Sequence, residues 1–182
     1  LFFSALIVAS IACQIDVGGP NAPGNPIPVH GDEADALAQR WKHVIENAGE
    51  NGEIMIIIDE AQMTCFIQQR IAENENPVIQ NPQVFLRDGT IQVFGTTEQS
   101  ILSAQVLLSI EPVLNENGEL VFNILNADIG PLPIPDLLTA TMATMLTEAL
   151  TGTLGSYATG IKITSIAISE GELALVGFIS LR

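Results

Sequence analysis

Two alternating apolar runs separated by Asp88-Gly89 constrain this chain more tightly than any other feature. Gln83-Val84-Phe85-Leu86-Arg87 and Thr90-Ile91-Gln92-Val93-Phe94 flank the pair. Asp-Gly between two such runs is among the strongest short-range signals for a hairpin. A two-residue turn fixes the register, setting Leu86 opposite Ile91 and Val84 opposite Val93 on one face. A second hairpin is expected where Lys162 to Ser169 and Glu172 to Ser180 flank Glu170-Gly171. There Ile168 faces Leu173 and Ile166 faces Leu175, whereas Ile163 and Phe178 fall on the other face. Strands from Ser100 to Ile110 and Leu120 to Ala127, joined through Pro112 and the Asn115-Glu116-Asn117-Gly118 turn, lie between the hairpins. Strands apolar on more than one side suit a sheet curved around something.

Helical periodicity supplies the other layer. From Gly31, Asp32 to Ile45 reads as a helix with acids in its first turn and bases in its last, with Leu37, Trp41, Val44 and Ile45 on one stripe. Gly49 to Gly52 breaks it, and Ile54 to Ile58 reads as a short, nearly continuous apolar strand. Asp59 is placed to cap the next helix, with Gln62 three residues on as in a capping box. Met63, Phe66, Ile67 and Ile71 mark that helix's buried face before it dissolves in Asn74-Glu75-Asn76-Pro77. Gly130-Pro131-Leu132-Pro133-Ile134-Pro135 then leads into a third helix, Asp136 to Leu150, whose pattern can continue to Leu154 and Tyr157. Pro135 suits the first helical position and Asp136 the positive end of the dipole. Leu138, Met142, Met145, Leu146, Ala149 and Leu150 form its broad apolar face. The opposite side, Thr139, Ala140, Ala143, Thr144 and Thr147, lacks the Lys and Glu of an ordinary surface helix, so the helix is expected to be covered on most sides.

The first thirteen residues, Leu1 to Cys13, are an uncharged apolar run ending in small residues and a cysteine. That is the form of a secretory h-region followed by a cleavage site. Ser10-Ile11-Ala12-Cys13 resembles the lipobox of bacterial lipoproteins, in which the cysteine is acylated and becomes the mature N-terminus. The alternatives are an ordinary signal peptide or a membrane anchor, although a spanning helix needs about 20 apolar residues. The basic n-region and initiating Met are missing, so the sequence is expected to be a truncated precursor. Every one of these readings takes the protein out of the cytoplasm. Residues 14–29 are rich in Pro, Gly and Asn and are expected to form a flexible tether, leaving residues 30–182 for a single domain.

Only 15% of the chain is charged, against about 25% in typical soluble domains. Those charges are one-sided, with a formal net charge of −15. A polyanion is repelled by phosphate backbones and anionic lipid surfaces, which argues against nucleic-acid binding and against membrane attachment through a basic patch. His30 and His43 have no ligand spacing, and no zinc motif, calcium loop, P-loop, dinucleotide fingerprint or serine-hydrolase elbow is present. No metal or cofactor is expected. Cys65, inside a helical pattern, reads as a small buried hydrophobe. Asp59 with Glu60 is the nearest thing to a catalytic carboxylate pair, and capping is its better explanation. The chain is not expected to be an enzyme.

The order of these segments resembles the LmeA-like phospholipid-binding family of bacterial envelope proteins, related in architecture to the tubular lipid-binding (TULIP) proteins. A strand and helix precede the Val84–Val93 hairpin. Two strands then lead to the proline-rich start of a long apolar helix, and the chain closes on Ile163-Thr164-Ser165-Ile166-Ala167-Ile168, Glu170-Gly171-Glu172-Leu173 and Gly177. The resemblance spans Ile54 to Gly177 and carries no catalytic signature; Gly31 to Asn47 has no counterpart in it. It implies an α+β fold, a strongly curved antiparallel sheet wrapped around long apolar helices, with a groove for acyl chains. Phe66, Ile67, Leu138, Met142, Met145, Leu146 and Leu150 are the candidate liners, though packed core is the plainer reading of each. Arg87 and Lys162 are the candidate headgroup contacts, though each equally suits solvent. The expected protein is a non-enzymatic envelope binder of phospholipid or another apolar ligand, anchored to the cell membrane through acylated Cys13. The alternative is a structural or assembly lipoprotein with a filled core and a protein partner.

Overall fold

A computed structural model of the protein describes residues 15–31, 33–48, 51–99, 102–116, 119–150 and 161–179, without the side chains of 33, 34, 99 and 148–150. Cys13, Leu154, Tyr157 and the Leu150 side chain lie outside the described residues. The architecture is α+β: a strongly curled, mixed sheet of half-barrel form with three helices.

The elements are β1 (Ile15–Asp16), α1 (Glu33–Glu46), β2 (Glu53–Asp59), α2 (Glu60–Ala72), β3 (Gln80–Arg87), β4 (Thr90–Gln99), β5 (Leu102–Leu114), β6 (Leu120–Asp128), α3 (Asp136–Leu150), β7 (Ile161–Ser169) and β8 (Glu172–Ile179). Hydrogen bonding divides the strands into a group ordered β1-β5-β4-β3, with β6 also on β5, and a second group ordered β2-β8-β7.

The first hairpin has the expected register, with Leu86 opposite Ile91 and Val84 opposite Val93. Asp88 and Gly89 have φ of 51° and 73°, the left-handed pair whose twist matches that of the flanking strands. The second hairpin likewise sets Ile168 opposite Leu173 and Ile166 opposite Leu175. One expectation there is corrected. A bulge between Ile163 and Ser165 lets Ile163 face Gly177, and Ile163 is buried on the same side as Leu173 and Leu175. Phe178 alone turns outward, 41% exposed. Two more register shifts, at Gln80/Gln83 and Ser109/Ile110, add local twist, and together the three bulges account for the curl. Pro112 lies within β5 rather than ending it. Beyond Ile110 that strand no longer pairs with β4, so a missing N–H on that flank breaks no ladder.

The segment before α1 is fastened to the rest of the fold near both of its ends. Ile15–Asp16 pair in parallel with Leu102–Ser103, which makes the sheet mixed rather than purely antiparallel. The contact extends through Val17 N–H to Ser103 O (2.9 Å) and Gln105 N–H to Gly18 O (3.0 Å). A Cβ on Gly19 would lie 2.5 Å from Gln105 O, so glycine here serves close approach rather than flexibility. Ile27 is buried against Phe85 and Phe94 on the outer face of the sheet, and its N–H donates to Gln83 Oε1 at 2.6 Å.

The main core draws on every layer. Leu37 and Trp41 of α1, Ile54, Ile56 and Ile58 of β2, Val84, Leu86, Ile91 and Val93 of the first hairpin, and Leu173 and Leu175 of β8 join one cluster. β2 alternates, with Met55 and Ile57 left 56% and 36% exposed, so its nearly continuous apolar run is buried on one face only. The long apolar helices implied by the resemblance are absent among the described residues: α2 has 13 residues and α3 has 15 described. No described helix is long and apolar enough to cross a membrane.

Candidate functional site

The two ends of α2 carry a polar cluster and a group of open clefts, respectively. At the N-terminus the capping box forms: Gln62 N–H donates to Asp59 Oδ1 (2.8 Å) and Asp59 N–H to Gln62 Oε1 (3.2 Å). Glu60 turns toward the first hairpin and accepts the Leu86 N–H at 2.8 Å. It also pairs with the Arg87 guanidinium, whose Nε donates to Glu170 at 3.1 Å. Gly171 N–H donates to Leu86 O (3.0 Å), and Glu60 N–H to Gly171 O (3.3 Å). Three elements distant in sequence are therefore clasped at one point. Arg87 also lies 5.9 Å from the centre of the Phe85 ring. Its charge is matched by two carboxylates, so an anionic headgroup would have to compete for it. Lys162 is exposed on β7 opposite Phe178, in the other strand group.

α3 corrects a further expectation. It buries Leu138, Met142, Met145 and Leu146 against the core, packing beside β6 and α2. The other side is open rather than covered: Leu137 is 63% exposed, and Ala140, Thr144 and Thr147 are exposed. Threonine hydroxyls on that side donate back along the helix, Thr144 to Ala140 O (3.0 Å) and Thr147 to Ala143 O (2.8 Å). Such internal bonds reduce the polarity that a threonine presents outward.

At the C-terminus of α2 the chain turns through Asn74-Glu75-Asn76-Pro77-Val78, and adjoining clefts surround this loop. A cleft of about 740 Å³ lies between it, the Pro133-Ile134-Pro135 segment and the end of β4 at Thr97 and Glu98. A second, of about 580 Å³, runs between Arg70, Glu73 and Asn74 on α2 and Leu137, Ala140 and Met145 on α3. A narrower passage of about 160 Å³, also lined by Ile71, shares Asn76, Pro77 and Val78 with the first cleft and Asn74, Leu137, Thr141 and Met145 with the second. Thr97 Oγ1 donating to Val78 O (2.9 Å) and Thr96 Oγ1 to Gln80 O (3.4 Å) fasten the loop's exit to β4. The two larger volumes fall within the range of small-molecule sites, about 300–1,000 Å³.

The candidate liners therefore separate. Phe66, Ile67, Leu138, Met142 and Leu146 are at most 4% exposed and belong to the packed core, and none lines the clefts described. Met145, 7% exposed, belongs to the same core and also lines the α2–α3 cleft and the passage. Arg87 and Lys162 line neither. Sequence periodicity missed Leu137, Ile134 and Val78. Leu137 stands out of phase with the apolar face of α3, and that mismatch was the available signal. No protein-family model and no curated protein matches this chain.

Proposed function

We propose that this chain binds a lipid or other apolar molecule without chemistry, in the clefts around the Asn74–Val78 loop, as an extracytoplasmic protein held at the membrane through acylated Cys13. Met145 is the observation that carries this reading. It joins the packed interior to an open cleft, while Leu137 beside it keeps a large side chain 63% exposed at the rim. A methionine is well suited to such a wall, since its flexible thioether adapts to chains of different shape. The segment order resembling the LmeA-like, TULIP-related family points in the same direction, as does the outward side of α3 with its back-bonded threonines. The site differs from the internal groove implied by that resemblance: it lies at the edge of a filled core.

The filled core itself favours a second reading, a structural or assembly lipoprotein that meets a protein partner. Native mass spectrometry of the chain purified gently, followed by lipid extraction, separates the two. A stoichiometric apolar adduct is expected, whereas a polypeptide that stays bare after incubation with mixed lipids would favour the assembly role. Met145→Trp is expected to abolish the adduct and leave the fold intact, because the added ring can extend into the cleft. Unfolding instead would mean that Met145 is fully confined, since inserted bulk in a full core costs about 1–3 kcal/mol.

A further inference from the structure

The cleft system is electrically lopsided. Its outer end, walled by Val78 and Pro133-Ile134-Pro135, carries Glu75 and Glu98 and no Lys, Arg or His. Neither carboxylate has an ion-pair or hydrogen-bond partner among the described residues. The opposite end holds Arg70, which is committed to Glu73 at 3.0 Å and stands 5.3 Å from the centre of the Phe66 ring. Between the two ends the walls are mixed, with Ile71, Val78, Leu137 and Met145 supplying apolar surface beside Asn74, Asn76 and Thr141.

A molecule lying along this path meets an apolar middle and a negative terminus. A carboxylate or phosphate head with no compensating cation would be repelled by Glu75 and Glu98, whereas an ammonium head would meet two acceptors with no rival cation among the described lining residues. The protein's net charge of −15 acts in the same direction at longer range. Resting on the lipid-binding reading above, we propose that the ligand is an amine-headed amphiphile, its tail along Ile71, Leu137 and Met145 and its cationic head between Glu75 and Glu98. Burial of the tail supplies attraction, and the carboxylates supply orientation and choice of head.

Isothermal titration of the purified chain with dodecylamine, dodecanol and dodecanoate, each below its aggregation threshold at neutral pH, tests this. The three share one tail and differ only in head charge. Dodecylamine is expected to bind about tenfold more tightly than dodecanoate, the scale of two solvent-accessible charge pairs, with dodecanol between them. Glu75→Gln with Glu98→Gln should bring the amine and carboxylate affinities together and leave dodecanol unchanged. Asp35→Asn with Glu116→Gln makes the same change in net charge outside the cleft and should preserve the preference. Equal affinities in the native chain, or collapse of the preference in this control, would overturn the head assignment while leaving apolar binding in place. Failure of all three amphiphiles to bind would instead sink the lipid-binding reading on which the assignment rests.

Discussion

At its first turn α2 is capped by Asp59 and tied to two other segments, the first hairpin and the β7–β8 turn, by a shared carboxylate, a clasped arginine and a backbone hydrogen bond. At its last turn the same thirteen-residue helix runs into a loop bordered by clefts, an exposed leucine and two carboxylates with no partner among the described residues. The first end satisfies its polar groups internally, so its contacts stabilise the fold and leave little to offer a ligand. The second end leaves polar and apolar groups facing space, which contributes little to the fold and keeps recognition possible. Rigid support at one end of a helix with an open surface at the other is a workable division of labour within a small domain.

Substitutions at each end can break or sharpen this contrast. Glu60→Ala should have the largest effect on stability, because Leu86 N–H loses its acceptor and Arg87 loses the better shielded of its two counter-charges. A loss of about 2–3 kcal/mol in urea unfolding is expected, with amphiphile affinity unchanged. A variant as stable as the native chain would show that the clasp is ornamental. Asp59→Ala removes the cap alone and should cost about 1 kcal/mol, read from the same unfolding curves. Leu137→Gln should shift stability by no more than about 0.5 kcal/mol, yet weaken dodecanol binding several-fold as the exposed apolar rim is lost. If Leu137→Gln instead lowers the melting temperature and spares binding, the rim belongs to the fold and the contrast between the ends fails.

Local chemistry was legible in the sequence, and convergence was not. The Asp88-Gly89 turn, both hairpin registers near their turns and the Asp59–Gln62 box depend on residues within a few positions of one another, so spacing alone revealed them. The bulge at Thr164 escaped because a strict period of two has no place for an extra residue, and every side chain before the bulge changes face. The exposure of α3 escaped for a different reason. An uncharged helix face signals the absence of charge, and whether another element covers it depends on the tertiary arrangement. The partners of Arg87, on α2 and in the last turn, are likewise brought to it only by the folded sheet. The clefts arise where the loop after α2, the end of β4 and the proline segment before α3 meet, and Pro77 and Pro133 read individually as nothing more than interruptions.

The segment before α1 has a mechanical consequence. Its first fastening is a short parallel pairing to β5 with a few flanking hydrogen bonds, and its second is the burial of Ile27 over Phe85 and Phe94. Tension applied from the N-terminal side would load the backbone pairing first and reach the Ile27 plug only after it parted. Roughly 40 Å of chain lies between those two points when drawn straight. This segment can therefore lengthen in a separate step while the helices and the clefts behind Ile27 remain unloaded.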